Sequence, residues 1–121
     1  MPFLQGQHAC LLLTGAELDH FAETLASLGY APHTGLRTRR RGEIGSWVGR
    51  LRRGGQIHVQ AAAGARGYVE IYAHAEPAGY GLEHLMWAVL DAPSYRHGAR
   101  LLLADLRSQG WDVDRYRPRL M

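Results

Sequence analysis

The feature that most constrains this chain is a pair of alternating runs within residues 43–75. Every second position of these runs is aliphatic: Ile57, Val59, Ala61 and Ala63 in the first, and Val69, Ile71, Ala73 and Ala75 in the second. A period of two is typical of a half-buried strand, because successive side chains of a strand point to opposite faces of the sheet. Glycine-bearing segments at residues 53–55 and 64–67 separate the strand runs, so we predict an antiparallel meander with one aliphatic face.

The positions between the aliphatic ones are mostly polar or aromatic. They are Gln56, His58, Gln60, Ala62, Tyr68, Glu70, Tyr72 and His74. The alternation predicts that these side chains share the second face of the sheet. A further run, from Ile44 to Leu51, is less regular, since Gly45 and Gly49 flank Trp47. This spacing predicts a twisted or bulged strand, or a close approach of another backbone, and leaves open which face Trp47 occupies.

Strong local signals predict a strand and a helix before the meander. The apolar run from Ala9 to Leu13 is typical of a strand covered on both faces. Thr14 and Glu17 then have the spacing of a capping box, in which each side chain bonds to the backbone of the other residue. Gly29 ends the resulting helix, because glycine readily adopts the positive φ of a C-terminal cap.

Two further helices are predicted after the meander. The first has its apolar residues within positions 82–89 and must end before Pro93. The second begins with Ser94 as its N-cap and ends at Gly110. Beyond it, residues 111–114 alternate in the manner of a short closing strand.

Together these elements predict an α+β fold with the order β-α-β-β-β-α-α. The sheet is four-stranded and mainly antiparallel, helices pack on one of its faces, and a short C-terminal strand is an open addition. A chain of 121 residues with 46% hydrophobic composition is expected to form one domain, residues 1–121. Within it, residues 31–42 form an arginine-rich loop. Residues 112–121 form a basic tail for which order and disorder are both open.

The positive charge is carried by arginine alone. All 14 basic residues are arginine, and the formal net charge is +3. The planar guanidinium group pairs well with carboxylate or phosphate. Two clusters beside the meander are therefore candidates for binding an anion: Arg39, Arg40 and Arg41, and then Arg50, Arg52 and Arg53. For any single arginine, an ordinary solvated position is the alternative.

The second sheet face adds further candidate binding residues. They are His58, Gln60, Tyr68, Tyr72 and His74. Aromatic and basic side chains on an exposed sheet stack bases and pair phosphates, which predicts nucleic acid or another polyanion as a ligand. The alternative is that this face is buried against a second copy of the chain in a homodimer. The two interpretations are compatible.

From Thr14 to about Asp91, the predicted order of a helix, three strands and a helix resembles that of double-stranded-RNA-binding domains. That family clamps phosphates with a lysine cluster at the start of its second helix. The corresponding segment here, residues 81–84, reads Gly-Leu-Glu-His and has no lysine. The resemblance is therefore confined to element order, and it assigns no role to any residue of this chain.

An enzymatic alternative rests on His58, Glu70 and His74, which share the second face and suit a small-molecule or metal site. The seven histidines include no pair at the i, i+4 spacing. Cys10 is the only cysteine, and its apolar surroundings predict an inert thiol with a raised pKa. No catalytic residue, metal ligand or cofactor is predicted.

The lone cysteine excludes an intramolecular disulfide and fits a reducing compartment. The N-terminus has no basic region followed by an apolar stretch, and no apolar run is long enough to span a membrane. We therefore expect a cytoplasmic protein without membrane contact. The predicted function is a non-enzymatic binding or assembly module that forms a homodimer, and a purely structural homo-oligomer is a further alternative.

Overall fold

The computed structural model describes residues 8–33, 42–50, 55–76 and 93–117. In chain order the elements are β1 (Leu11–Thr14), a 3₁₀ turn (Gly15–Glu17), α1 (Leu18–Ser27), β2 (Ala31–Pro32), β3 (Glu43–Arg50), β4 (Gln56–Ala63), a second 3₁₀ turn (Ala65–Gly67), β5 (Tyr68–Glu76) and α2 (Pro93–Ser108). The predicted α+β class with an antiparallel sheet is confirmed. The helix predicted within residues 82–89 and most of the arginine-rich loop lie outside the described residues.

The sheet has five strands in the order β1-β5-β4-β3-β2, and all neighbours are antiparallel. The predicted count of four strands is wrong because β2 was missed. That strand has only two residues, Ala31 and Pro32, which pair with Val48 and Trp47 of β3. A two-residue strand containing proline has no periodicity to detect, so only its pairing with β3 defines it.

The meander follows its predicted course. β4 and β5 pair from Gln56 opposite Glu76 to Ala63 opposite Val69, without a break in register. The turn between them places Arg66 and Gly67 at positive φ. A register shift between Glu43 and Gly45 places a bulge at the start of β3, which agrees with one of the alternatives predicted for this strand. The aliphatic residues of both strands therefore lie on one face of the sheet, as predicted.

Local signals at the ends of α1 are also confirmed. The Thr14 backbone amide and the Thr14 hydroxyl each donate a hydrogen bond of 2.8 Å to Glu17 Oε1. At the other end, Gly29 has φ 91°. Its amide donates to the Ala26 carbonyl at 3.0 Å, and the Tyr30 amide donates to the Leu25 carbonyl at 2.9 Å. This pair of bonds is a Schellman cap.

The helix α2 packs directly onto β5. It begins at Pro93, one residue before the predicted N-cap Ser94, because the fixed φ of proline suits the first turn of a helix. Gly98 faces the strand so closely that an added Cβ would lie 2.5 Å from the Ala75 amide nitrogen. α2 ends at Ser108, and Gly110, the predicted stop, lies just beyond it with φ 88°.

The core lies between the aliphatic sheet face and the two described helices. Its fully buried members include Leu11, Leu13, Phe21, Leu25, Val59, Ala61, Ile71, Leu102 and Leu106. Trp47 joins this side of the sheet, since its ring meets Phe21 edge to face at 5.8 Å. Gly45 and Gly49 make room for aromatic rings, because an added Cβ would lie 2.6 Å from the Trp47 ring and 2.8 Å from the Tyr30 ring.

The residues after α2 form turns where a closing strand was an open possibility. Trp111 and Val113 are buried in the core, and Trp111 Nε1 donates a hydrogen bond of 3.0 Å to Thr24 Oγ1. The Leu12 amide of the edge strand donates to the Tyr116 carbonyl at 2.7 Å. The described part of the tail is therefore packed against β1 and α1. Among the described residues, no helix is long and apolar enough to cross a membrane.

Candidate interaction surface on the polar sheet face

The second face of the sheet, here called the polar face, has a mainly polar set of side chains. Its described members include Glu43, Ser46, Arg50, Gln56, His58, Gln60, Tyr68, Glu70, Tyr72 and His74. Strand pairing places Ser46 opposite Gln60, Gln60 opposite Tyr72, and His58 opposite His74. Directly opposed residues of an antiparallel pair point to the same side of the sheet. The predicted binding residues His58, Gln60, Tyr72 and His74 are thus neighbours on one surface.

A row of imidazole rings crosses the middle of the polar face. His58 on β4 lies between His74 on β5 and His33, which directly follows β2. The ring centroids are 5.2 Å apart for His58 and His74 and 5.3 Å apart for His33 and His58, with edge-to-face geometry in both contacts. On the neighbouring strand β3, Ser46 Oγ lies 2.7 Å from His58 Nε2, within hydrogen-bonding distance. We call His33, His58 and His74 the histidine row.

Two further hydrogen bonds lie beside this row. Gln60 Nε2 donates to Glu43 Oε1 at 2.7 Å, joining β4 to the start of β3. The Tyr72 hydroxyl donates to Glu70 Oε1 at 3.2 Å along β5. Hydrogen-bonded partners hold these side chains in defined positions and offset the desolvation that burial imposes on polar groups.

Burial differs between the centre of the polar face and its ends. His58 is only 6% exposed, Gln60 5% and Ser46 7%. Tyr72 and His74 are half-buried, whereas Tyr68 is 46% exposed. The centre of the polar face is therefore closed to solvent, whereas its Tyr68 end is open. At the centre, His58 contacts Ser46 and two other imidazole rings, and Gln60 is bonded to Glu43.

Arg50 is the one member of the predicted arginine clusters within the described residues. It pairs with Gln56 at the end of β3 and is exposed on the polar face. The other five predicted arginines, Arg39, Arg40, Arg41, Arg52 and Arg53, lie outside the described residues. Because Glu43 and Glu70 also belong to this face, the charge of its described part is mixed.

The three residues of the predicted metal or small-molecule site do not converge. His58 and His74 are in ring contact, but Glu70 precedes His74 by four residues on the same strand, a separation of about 13 Å along the chain. Within residues 8–33, 42–50, 55–76 and 93–117, no three His, Cys, Asp or Glu side chains form a group that could hold a metal ion.

Cys10 lies just before β1 and packs against the hydrophobic core. Burial raises the pKa of its thiol to about 12, and its own backbone hydrogen bond opposes that shift only in part. The predicted raised pKa is confirmed. Since the thiolate is the reactive form, this side chain is a poor nucleophile near neutral pH.

Glu43, Ser46 and His33 were missed by reasoning from sequence, and the last two contact the central ring of the histidine row. Ser46 lies in the irregular strand, where the bulge and the flanking glycines obscured which face each residue occupies. His33 lies in a segment without periodicity, and only the pairing of β2 with β3 brings it to His58. The one sequence signal was that Ser46, Val48 and Arg50 are two residues apart and therefore share a face of the sheet. Which face they share depends on the register of β3 with β4, and the sequence left that register open.

No protein-family model, curated protein or solved structure matches this chain. The element-order resemblance to double-stranded-RNA-binding domains therefore has no support from these comparisons. The function has to be inferred from the chemistry of the polar face itself.

Proposed function

We propose that this chain is a non-enzymatic binding and assembly module whose interaction surface is the polar face. The observation that supports this most directly is the contrast in how the two faces are covered. Both described helices pack on the aliphatic face, while the polar face presents tyrosine, histidine and amide groups held in place by hydrogen bonds. Rigid, pre-positioned side chains bind with less loss of conformational entropy than mobile ones.

The first proposed partner is a second copy of the chain. Tyrosine is enriched at protein interfaces because it combines a large apolar area with a polar group. Tyr68 is the exposed aromatic of the polar face, and Tyr72 is half-buried beside it on β5. A two-fold interface centred on β5 would cover both rings, with Glu70 between them and Arg50 at its margin for polar contacts.

The mass of the purified chain in solution tests this assembly. We expect light scattering to give twice the chain mass, and we expect Tyr68→Ala to shift the equilibrium towards the monomer. Arg96→Ala is the matched control, because Arg96 is exposed on α2, on the opposite side of the sheet. A monomeric wild-type chain at high concentration would contradict the homodimer.

The second proposed ligand is nucleic acid or another polyanion, bound at the end of the polar face where Arg50 lies. Guanidinium groups pair with phosphate, and a cluster of them gives binding that weakens steeply with salt. The mixed charge of the described face confines this proposal to its arginine-bearing end, away from Glu43 and Glu70.

Retention on a phosphate-bearing column tests the polyanion proposal. Replacing Arg50, Arg52 and Arg53 together with alanine should lower the salt concentration needed for elution. The control replaces Arg96, Arg100 and Arg107, which are all exposed on α2. Both triple variants lose the same net charge, so an equal loss of retention would show that only overall charge matters. Nucleic acid co-purifying with the wild-type chain would identify the polyanion.

A second candidate function is favoured by the short distance between Ser46 and His58. In acyl transfer, an imidazole nitrogen takes the proton of a serine hydroxyl as the serine oxygen attacks the acyl carbon, and then donates that proton to the leaving group. Water hydrolyses the resulting ester on serine. Both side chains are buried, which favours the binding function over this one.

A fluorophosphonate probe separates the two functions. Labelling of the wild-type chain that is lost in Ser46→Ala and kept in Ser108→Ala would establish a reactive serine, since Ser108 is exposed on α2. Absence of labelling in the folded wild-type chain would leave the binding function.

A further inference from the structure

The strand β1 forms one edge of the sheet. It pairs with β5 on one side, from Leu11 opposite Ile71 to Thr14 opposite Tyr68. The backbone groups of an antiparallel edge strand point alternately towards the partner strand and towards the open side. Unpaired groups on the open side are a template for a strand of another chain. What covers these groups therefore decides whether the sheet can extend.

The two edges of the sheet differ in their side-chain protection. Charged residues and proline in an edge strand discourage pairing with another strand. The edge strand β2 contains Pro32, which has no amide to donate. β1 reads Leu-Leu-Leu-Thr, with neither a charged residue nor a proline. Protection of the β1 edge therefore has to come from elsewhere in the chain.

Two acceptors from outside β1 bind its outward-facing amides. The Leu12 amide donates a hydrogen bond of 2.7 Å to the Tyr116 carbonyl in the tail. The Thr14 amide donates one of 2.8 Å to Glu17 Oε1 in the capping box. Leu12 and Thr14 are two residues apart, so their amides face the same side, away from β5. The tail and the capping box thus occupy the donors that a further strand would need.

Tyr116 is linked to both of these acceptors. Its own carbonyl accepts from Leu12, and its ring meets that of Trp111 at 5.4 Å, with Trp111 buried in the core. A hydrogen bond to the Glu17 side chain raises the pKa of the Tyr116 hydroxyl. Glu17 is the residue whose carboxylate accepts from Thr14. The side chain of Tyr116 therefore anchors the tail both to the core and to the capping box.

We infer that Tyr116 closes the β1 edge of the sheet against pairing with the β1 edge of a second copy of the chain. A second copy is the partner that fits, because antiparallel pairing of a strand with its own copy follows a two-fold axis. With Leu12 on that axis, its amide and its carbonyl each bond to the same residue of the other copy. β1 has no charge that would repel its copy. The edge is separate from the interface proposed on the polar face, so the inference does not depend on that proposal.

Hydrogen exchange of backbone amides in the full chain tests whether Tyr116 holds the edge closed. In Tyr116→Ala, the Leu12 amide should exchange about tenfold faster relative to the Leu13 amide, which faces β5. This ratio separates local opening of the edge from a general loss of stability. Arg117→Ala is the matched control, because Arg117 is the adjacent exposed residue of the tail, and it should keep the wild-type ratio. An unchanged ratio in Tyr116→Ala would overturn the inference.

The mass of the same samples at high concentration tests the partner. Tyr116→Ala should associate beyond the wild-type mass, whether the wild type is a monomer or a dimer, and Arg117→Ala should not. Adding Leu12→Pro to Tyr116→Ala should restore the wild-type mass, because proline has no amide for the second copy to bind and is tolerated where that amide faces the open side. Faster Leu12 exchange without association, or association that persists in the double variant, would contradict pairing through β1. A monomeric wild type would contradict the polar-face dimer alone.

Discussion

Both faces of the sheet are buried near its centre, but different interactions stabilise the buried side chains of each face. On the aliphatic face, Val59 and Ile71 are fully buried against helix side chains. On the polar face, His58 and Gln60 are nearly as buried, and each has a short contact to a polar group on β3. Apolar burial is non-directional and follows the area removed from water, whereas buried polar groups need partners at defined distances. One face therefore supplies stability, and the other supplies a specific arrangement of functional groups.

The largest effect is expected from the aliphatic face. Ile71 is fully buried and pairs with both Leu11 and Ala61 in the centre of the sheet. Ile71→Ala should lower the free energy of unfolding by about 2 to 5 kcal/mol, from lost apolar burial and the cavity left behind. Denaturant unfolding measures this change. A loss below that of the polar-face variants would show that the two faces have been assigned the wrong way round.

The next effect concerns how closely a helix approaches the aliphatic face. Gly98→Ala would place a methyl group 2.5 Å from the Ala75 amide nitrogen, so α2 must move away from β5. We expect a loss of about 1 to 3 kcal/mol in the free energy of unfolding, the usual range for overpacking. Ala99→Gly on the same helix is a control for backbone entropy alone. Equal stability of Gly98→Ala and wild type would contradict the close contact.

A smaller effect is expected at the centre of the polar face. Ser46→Ala removes the hydroxyl beside His58 Nε2 and leaves a buried ring nitrogen without that partner. The expected loss is about 1 to 3 kcal/mol, towards the lower end because the methyl group still fills most of the space. A double-mutant cycle with His58→Phe isolates the interaction between the two residues. Additive losses in that cycle would mean that the pair contributes no coupling to stability.

The smallest effect on stability is expected from Tyr72, a half-buried residue of the polar face. Tyr72→Phe removes a hydroxyl that donates to Glu70 at 3.2 Å, and the stability loss should stay below about 1 kcal/mol. Tyr72→Ala should mainly weaken association, because the ring belongs to the proposed interface. Mass measurement and unfolding of the same samples separate the two effects. A monomeric Tyr72→Ala chain with a large loss of stability would place this ring in the core.

Much of the fold was predictable because its determinants are local. The capping box at Thr14 and the glycine stops at Gly29 and Gly110 each depend on residues within one helical turn. Strand parity from Gln56 to Glu76 depends only on the period of two. The strand count failed where the local signal was short, as in the two-residue strand β2. The residues after α2, for which a closing strand was left open, form turns.

The candidate site was predicted only in part. His58, Gln60, Tyr72 and His74 were placed on one face by parity, and they are neighbours there. The burial of His58 and Gln60 at the centre of that face was not predicted, because burial depends on contacts between segments that are distant in the chain. Five of the six candidate arginines lie outside the described residues, so their role in binding stays a prediction.

By itself, the sequence determined which residues alternate, where α1 begins and ends, and which residues of β4 and β5 share a face, since each of these depends on near neighbours in the chain. The tertiary structure decided that β5 pairs with β1, that Trp47 faces the core, and that Ser46 and His33 meet His58. These outcomes depend on register between distant segments. Shifting the register of β3 by one residue would turn Trp47 to the polar face and Ser46 to the core. The bulge in this strand obscures the register in the sequence, so packing decided it.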